Sequence, residues 1–328
     1  MNSLRLASVV SLLGPFLALA IVAGGFAVAD QMQERGGGFT SAYNVRQIAA
    51  STTVVAIAGL GMTVIILAGG IDLSAGTGLA LASVVLASLL EHKWPLALAL
   101  AAAIGAGGLC GFANGLIIAK GRIVPFIVTL GTMMVWLGIA KKIADNKTIH
   151  VNREYVPDWL QNLLSASESR AILGLPMGAW VAVAMSAVLA FVLTKTVFGR
   201  HVTAVGSNEA AARLSGLPVD RIKIAVYVLG GIFFGAAGLC LFSQLSIGDP
   251  TQGTGKELDV IAAVIIGGGS LAGGRASVAG TLAGAATMAV IRSGCTQLGL
   301  DNPIQDIALG LIIVVAVAVD QWRQRRAV

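Results

Sequence analysis

Apolar residues in this chain run on without alternating, and the runs are broken by short polar or glycine-rich segments. A helix needs about 20 apolar residues to cross the roughly 30 Å hydrocarbon core of a bilayer. Ten stretches approach that length, at about 10–29, 48–68, 73–90, 95–118, 123–140, 177–197, 223–245, 258–270, 276–293 and 303–319. Barrel strands would alternate with a period of two, so continuous runs predict helices. The expected fold class is therefore all-α: a polytopic membrane protein of about ten transmembrane helices, forming a single domain over residues 1–328.

Composition strengthens that reading. Hydrophobic residues make up 56% of the chain and charged residues 12%, with a mean hydropathy of +0.85. A soluble domain carries about 25% charged residues, so a soluble surface could not be covered. The 42 glycines suit close helix packing in lipid. The run Leu6–Ala29, ending Ala27-Val28-Ala29, can be read as a signal peptide or as an uncleaved first helix. Its length and the spans that follow favour the helix. Cys110, Cys240 and Cys295 lie in or beside apolar spans with no C-x-x-C, and His92, His150 and His201 occupy separate loops. Neither a disulfide framework nor a metal site is expected.

Ten spans beginning inside put both termini in the cytoplasm of a bacterial inner membrane. The inside segments then hold Lys120, Arg122, Lys195, Arg200 and the tail "QWRQRR", in keeping with the excess of basic residues in cytoplasmic loops. The basic balance reflects topology and lipid contact, not nucleic-acid binding. Two polar segments are long. The external one, 141–176, contains "PDWLQNLL", a candidate interfacial helix with Trp159 at headgroup level. The internal one is 195–223.

Within the internal segment, "SNEAAARLSGLP" (207–218) reads as a complete short helix. Ser207 or Asn208 can cap it, Glu209 suits its first turn, Gly216 ends it and Pro218 prevents continuation. So short a helix cannot stand alone in water. It is either an ordinary amphipathic connector or a helix presented to a partner protein.

Four stretches carry a resemblance: "GRHVTAVGSNEAAARLSGLPVDRIKI", "GGIDLSAG", "ANGLIIAKGRIVPFIVTLGT" and "TGKELDVIAAVIIGGGSLAGGRASVAGTLAGA". In this order they resemble the permease subunits of ribose-type (monosaccharide) ABC importers, from about residue 45 to 320. The resemblance implies a type II-like permease of about ten helices. It implies pairing as a homodimer, or as a pseudo-symmetric heterodimer with a second permease. It further implies a separate ATPase subunit and a periplasmic sugar-binding protein. Glu209-Ala210-Ala211 followed by Gly216 matches the family's coupling loop, so Asn208, Glu209, Ala210, Ala211, Arg213 and Gly216 are the expected ATPase contacts. The chain has no G-x-x-x-x-G-K-[ST], since Gly255-Lys256 is followed by Glu257. It is therefore read as a transport subunit without catalytic residues or cofactors, whose ATP hydrolysis occurs in its partner. A ribose-like pentose is the expected cargo. Alternatives are an ABC permease for a polyol, nucleoside or branched-chain amino acid, or an ion-coupled secondary transporter. The last would need an ionisable pair deep in the spans, where Asp72 alone is a candidate.

"GGIDLSAG" (69–76) overlays "GGGSLAGG" (267–274) at a shift of 198 residues, which suggests an internal repeat with glycine-broken helices. Asp72 has two readings. It can cap the third helix at the cytoplasmic face, or lie within the membrane and line the substrate path. Asn114, Phe126, Thr129, Thr132 and Gln244 are the other path candidates, each with helix packing as the alternative. For docking of the binding protein, Arg46, Arg153, Glu154, Lys256 and Glu257 are candidates, with segment 248–259 foremost; solvated surface is the alternative.

Overall fold

The computed structural model describes residues 2–33 and 36–325, with the side chains of 13–33, 36–315, 317 and 318. The basic side chains of Arg5 and of the tail 321–326 lie outside that set. The first half of the bundle contains α1 (Asn2–Gln31), α2 (Ala42–Leu67), α3 (Ala75–Glu91), α4 (Leu96–Gly121) and α5 (Pro125–Ile143). A packed segment with α6 (Asp158–Gln161) leads to α7 (Met177–Lys195), α8 (Val197–Ser207) and α9 (Glu209–Leu214). Then follow α10 (Val219–Leu245), α11 (Lys256–Ile266), α12 (Val278–Gln297) and α13 (Asn302–Arg325). Two short strands, β1 (Ile149–His150) and β2 (Ile247–Gly248), pair antiparallel.

Among the described residues seven helices are long and apolar enough to cross a membrane: α1, α2, α4, α5, α7, α10 and α12. The stretch 258–270, expected as a full span, differs. Its helix α11 has 11 residues, about 17 Å at the usual rise and roughly half the hydrocarbon thickness. Three consecutive glycines stop it.

Helix α2 is the centre of the bundle and is almost wholly buried. It runs antiparallel to α12, where Thr63 and Thr281 share a hydroxyl hydrogen bond of 2.7 Å and Asn44 accepts from Ser293 at 2.9 Å. Helices α4 and α10 touch backbone to backbone. A Cβ on Gly107 would collide with Gly231, and one on Gly111 with the carbonyl of Tyr227. The spacing Gly107, Gly111, Gly115 is the small-residue stripe that permits such an approach in lipid. On the bundle's outer face, Leu109, Phe112, Ile127, Met134, Val188 and Phe191 are exposed, as lipid-facing residues should be.

The two glycine breaks share one geometry. After α2, Gly69 (φ +80°) and Gly70 donate to Ile66 and Ile65; after α11, Gly268 (φ +88°) and Gly269 donate to Ile265 and Val264. The backbone therefore pairs Gly69 with Gly268, an offset of 199, one residue from the 198 that letter matching suggests. Letter identity among glycines cannot fix a register, whereas the position of the positive φ can.

The breaks also meet. Gly274 N–H donates to the Leu67 carbonyl at 3.0 Å. A Cβ on Gly273 would lie 2.8 Å from Gly69 Cα and 2.6 Å from the carbonyl of Gly206, near the end of α8.

The segment between α10 and α11 does not stay at the surface. Gly248 packs on Ala87 and Val84 of α3, and Gly253 on Gly76 and Ala80, with Glu257 also against Gly76. It thus descends α3 by eleven positions, about 16 Å along the axis. Its turns are closed internally: Asp249 accepts from the Thr251 N–H (2.8 Å) and hydroxyl (2.7 Å), and Thr148 reaches the same carboxylate at 3.2 Å. Irregular backbone at membrane depth is tolerated only when buried in protein or lining a cavity.

The stretch "PDWLQNLL" forms a four-residue helix, α6, rather than a longer interfacial one. Leu160, Leu163 and Leu164 turn into the main core, while Asp158 and Trp159 face outward.

Candidate functional site

Three constellations emerge. At one end of the bundle, α9 projects as a short knob. Asn208 accepts from the Ala211 N–H at 2.9 Å and so caps it. Gly216 (φ +81°) closes it, its N–H donating to Arg213 and that of Leu217 to Ala212. Ala212 is buried, while Ala210, Ala211 and Leu214 face out, Leu214 with 90% of its surface exposed.

The charged residues of α9 are tied to their own chain. Lys223 donates to Glu209 Oε2 at 2.7 Å, and Arg213 donates to Glu209 Oε1 at 3.3 Å and to Asp220 Oδ1 at 2.9 Å. Partial burial alone would raise the Glu209 carboxyl. The hydrogen bonds and charges of Lys223, then Arg213, outweigh it and hold the group below the usual range. The Arg213 hydrogen bond does the same for Asp220. Lys223 and Asp220 were not among the expected coupling residues. Their role comes from the turn at Gly216, which folds α10 back beside α9, and no local spacing announces it.

The second constellation is the unwound stretch 71–74 between α2 and α3. Asp72 is 1% exposed. Its Oδ1 accepts from the Ser74 N–H (2.8 Å) and hydroxyl (2.6 Å), and its Oδ2 from Asn114 Nδ2 at 3.2 Å. Asn114 also donates to Ser74 Oγ at 2.8 Å. Thr129 accepts from the Leu73 N–H at 3.1 Å, and Tyr227 donates to the Ile71 carbonyl at 3.4 Å. Helices α4, α5 and α10 thus satisfy a strand of backbone that has no helix of its own. Asp72 stands at the amino end of α3, near the expected cap, but it bonds the N-cap residue Ser74 and ties the break to α4. Thr132 bonds the Thr129 carbonyl of its own helix at 3.3 Å. Phe126 faces outward, 48% exposed, away from this cluster.

The third lies toward the opposite end. Gln244 borders a cavity of about 100 Å³ with Ser51, Lys256, Asp259 and Arg292. Arg292 donates to both oxygens of Asp259, at 3.0 and 3.1 Å. Lys256 lies 3.9 Å from Asp259, so it belongs to this cavity, and Glu257 packs on α3. Neither is a free rim residue, because the connecting segment dips inward. Arg153 and Glu154 do lie exposed at that end, and Arg46 donates to the Ala166 carbonyl at 2.7 Å.

These features define a helical membrane protein whose two glycine-broken helices meet beside α8, with a short helical knob, α9, following it. Residues 44–317 match the model of the family described as "Branched-chain amino acid transport system / permease component", and the chain belongs to that permease family. It is similar to the Ribose import permease protein RbsC of Escherichia coli (strain K12), 38% identical over 286 residues, covering 87% of this chain and 88% of the relative. It is likewise similar to the Fructose import permease protein FrcC of Rhizobium meliloti, 35% identical over 89% of this chain and 81% of the relative. The L-arabinose ABC transporter permease protein AraH of Azospirillum brasilense is 36% identical over 88% of this chain and 84% of its own. No solved structure matches. The chain is thus a multi-pass membrane transport component.

Proposed function

We propose that the chain is the permease subunit of an ATP-driven importer for a monosaccharide, a ribose-like pentose foremost. The observation that carries this is the capped, charge-anchored α9 with Leu214 at its tip, on a chain whose relatives are named for ribose, fructose and L-arabinose import. In this reading the α9 end is cytoplasmic, both termini lie there, and 195–223 is the coupling loop for a separate ABC ATPase. Segment 141–176 is external, and Arg153 and Glu154 meet a periplasmic sugar-binding protein. Two permeases pair about a central path. ATP-driven movement of α9 passes through α8 to the first break at Gly69 and to Gly273, just after the second, and these open the path on the cytoplasmic side. Asp72, Asn114 and Thr129 hold the first break in register.

The family description favours one second reading, uptake of a branched-chain amino acid. An ion-coupled carrier also needs a test, since the Asp259–Arg292 pair supplies the intramembrane ionic partners such a carrier would use. Proteoliposomes holding the chain with its ATPase and binding protein separate the three. ATP-dependent accumulation of ribose, L-arabinose or fructose, unaffected by an uncoupler, supports the proposal. Accumulation of leucine alone, or loss with the uncoupler, overturns it.

A further inference from the structure

The polar cavity beneath the 247–257 segment is the feature that packing does not account for. Asp259 is buried in a helix whose neighbours are valine, isoleucine and alanine. Taking the Asp259 carboxylate out of water costs several kcal/mol, which Arg292, itself 40% exposed and also 3.6 Å from Asp306, only partly offsets. An apolar pair would hold α11 on α12 more cheaply. Around this pair sit the exposed amide of Gln244, the exposed hydroxyl of Ser51 and the half-buried ammonium of Lys256. Ionisable and amide groups at such depth face a cavity rather than lipid.

We propose that this cavity is a transit site for a neutral sugar with vicinal hydroxyls, between the external end and the glycine breaks. The inference rests on the importer reading above. A sugar hydroxyl both donates and accepts. The lining offers acceptors in the Asp259 carboxylate and the Gln244 carbonyl, and donors in Lys256, the Gln244 amide and Ser51. At about 100 Å³ the space is small beside the roughly 300–1,000 Å³ pockets of drug-sized ligands, which suits one ring of a few carbons. A zwitterionic amino acid fits less well, because its ammonium would enter a lining in which two cations, Lys256 and Arg292, already face the one carboxylate of Asp259. A weak site is what a transporter needs, since cargo held tightly would not leave.

The test is thiol protection in the complete permease–ATPase–binding-protein complex in proteoliposomes. Gln244→Cys and, separately, Ser51→Cys place one reactive thiol at the cavity, while the native cysteines are buried. A membrane-impermeant thiol reagent is added on the binding-protein side, with wild type as background. Both thiols should react, and ribose-loaded binding protein with ATP should slow the reaction severalfold. Leucine should not slow it. Equal rates with and without ribose, unreactive thiols, or protection by leucine instead overturn the site. If wild type accumulates no sugar with ATP, the importer reading fails, which is a separate outcome.

Discussion

Lys223 Nζ stands 2.7 Å from Glu209 Oε2, across the turn that joins α9 to α10. The acidic residue of α9 therefore faces its own chain, and what the helix leaves for the proposed ATPase is the apolar tip at Leu214. Exposed ion pairs contribute little stability, about 0–1 kcal/mol, so this network orients rather than stabilises. Lys223→Ala should leave the fold intact, with thermal unfolding within about 0.5 kcal/mol of wild type. It should weaken ATPase capture in a pull-down, and Leu214→Asp should weaken it more. Equal capture by all three would sink the assignment.

The same network gives a pH dependence. Glu209 and Asp220 are both held below the usual carboxylate range. A group with a lowered folded value supports the attached state above its unfolded value and loses that support as pH falls through the lowered one. Attachment of α9 should hold at neutral pH and weaken below about pH 4. Hydrogen exchange of 208–217, corrected for intrinsic rates, should rise there in wild type and already be raised at neutral pH in Lys223→Ala.

Gly216 has φ +81° and no heavy atom within 4 Å of where a Cβ would sit. Space is free, so only backbone conformation demands glycine. Gly216→Val should cost roughly 1–2 kcal/mol of local order, while Gly216→Asn should be tolerated because Asn adopts the left-handed region. Gly111 is the reverse case, with Tyr227 backbone filling the Cβ position. Gly111→Leu should abolish the folded protein in detergent gel filtration. Gly138→Ala, with nothing within 4 Å, should be neutral or slightly stabilising.

Local signals carried far here. Asn208, Glu209, Gly216 and Pro218 announce α9 because capping and termination are written in neighbouring residues. The membrane class follows from composition alone. What local signals could not carry is pairing at a distance: Glu209 with Lys223, Asp259 with Arg292, Asp72 with Asn114. The path of segment 248–259 is hidden for a related reason: Asp249 and Thr251 satisfy one another, which lets the chain descend along α3. The repeat register failed by one residue because glycine runs overlay equally well at neighbouring offsets.

Asp72 and Asn114 are suited to a double-mutant cycle. Side-chain hydrogen bonds between membrane helices average about 0.6 kcal/mol, but loss of one partner leaves a buried polar group unpaired, at about 1–3 kcal/mol. Asp72→Ala and Asn114→Ala should each lower thermal stability by amounts in that upper range. Their combination should cost less than the sum, because the second change removes a group the first had already stripped of one partner, Ser74 remaining the other. Strict additivity would mean that the two do not share one network.

Gly206 offers the sharpest test of how motion crosses the bundle. A Cβ there would collide with the Leu67 carbonyl, the acceptor of the Gly274 N–H, and lie 2.8 Å from Gly274 N itself. Gly206→Ala must therefore part α8 from both glycine breaks, while the ion pairs of Glu209 with Lys223 and of Arg213 with Asp220, which join α9 to α10, do not involve it. ATPase capture should match wild type and ATP hydrolysis should continue, but sugar moved per ATP should fall severalfold. If that ratio stays at the wild-type value, movement of α9 reaches the breaks by some other contact, and the role given to this three-glycine junction is wrong.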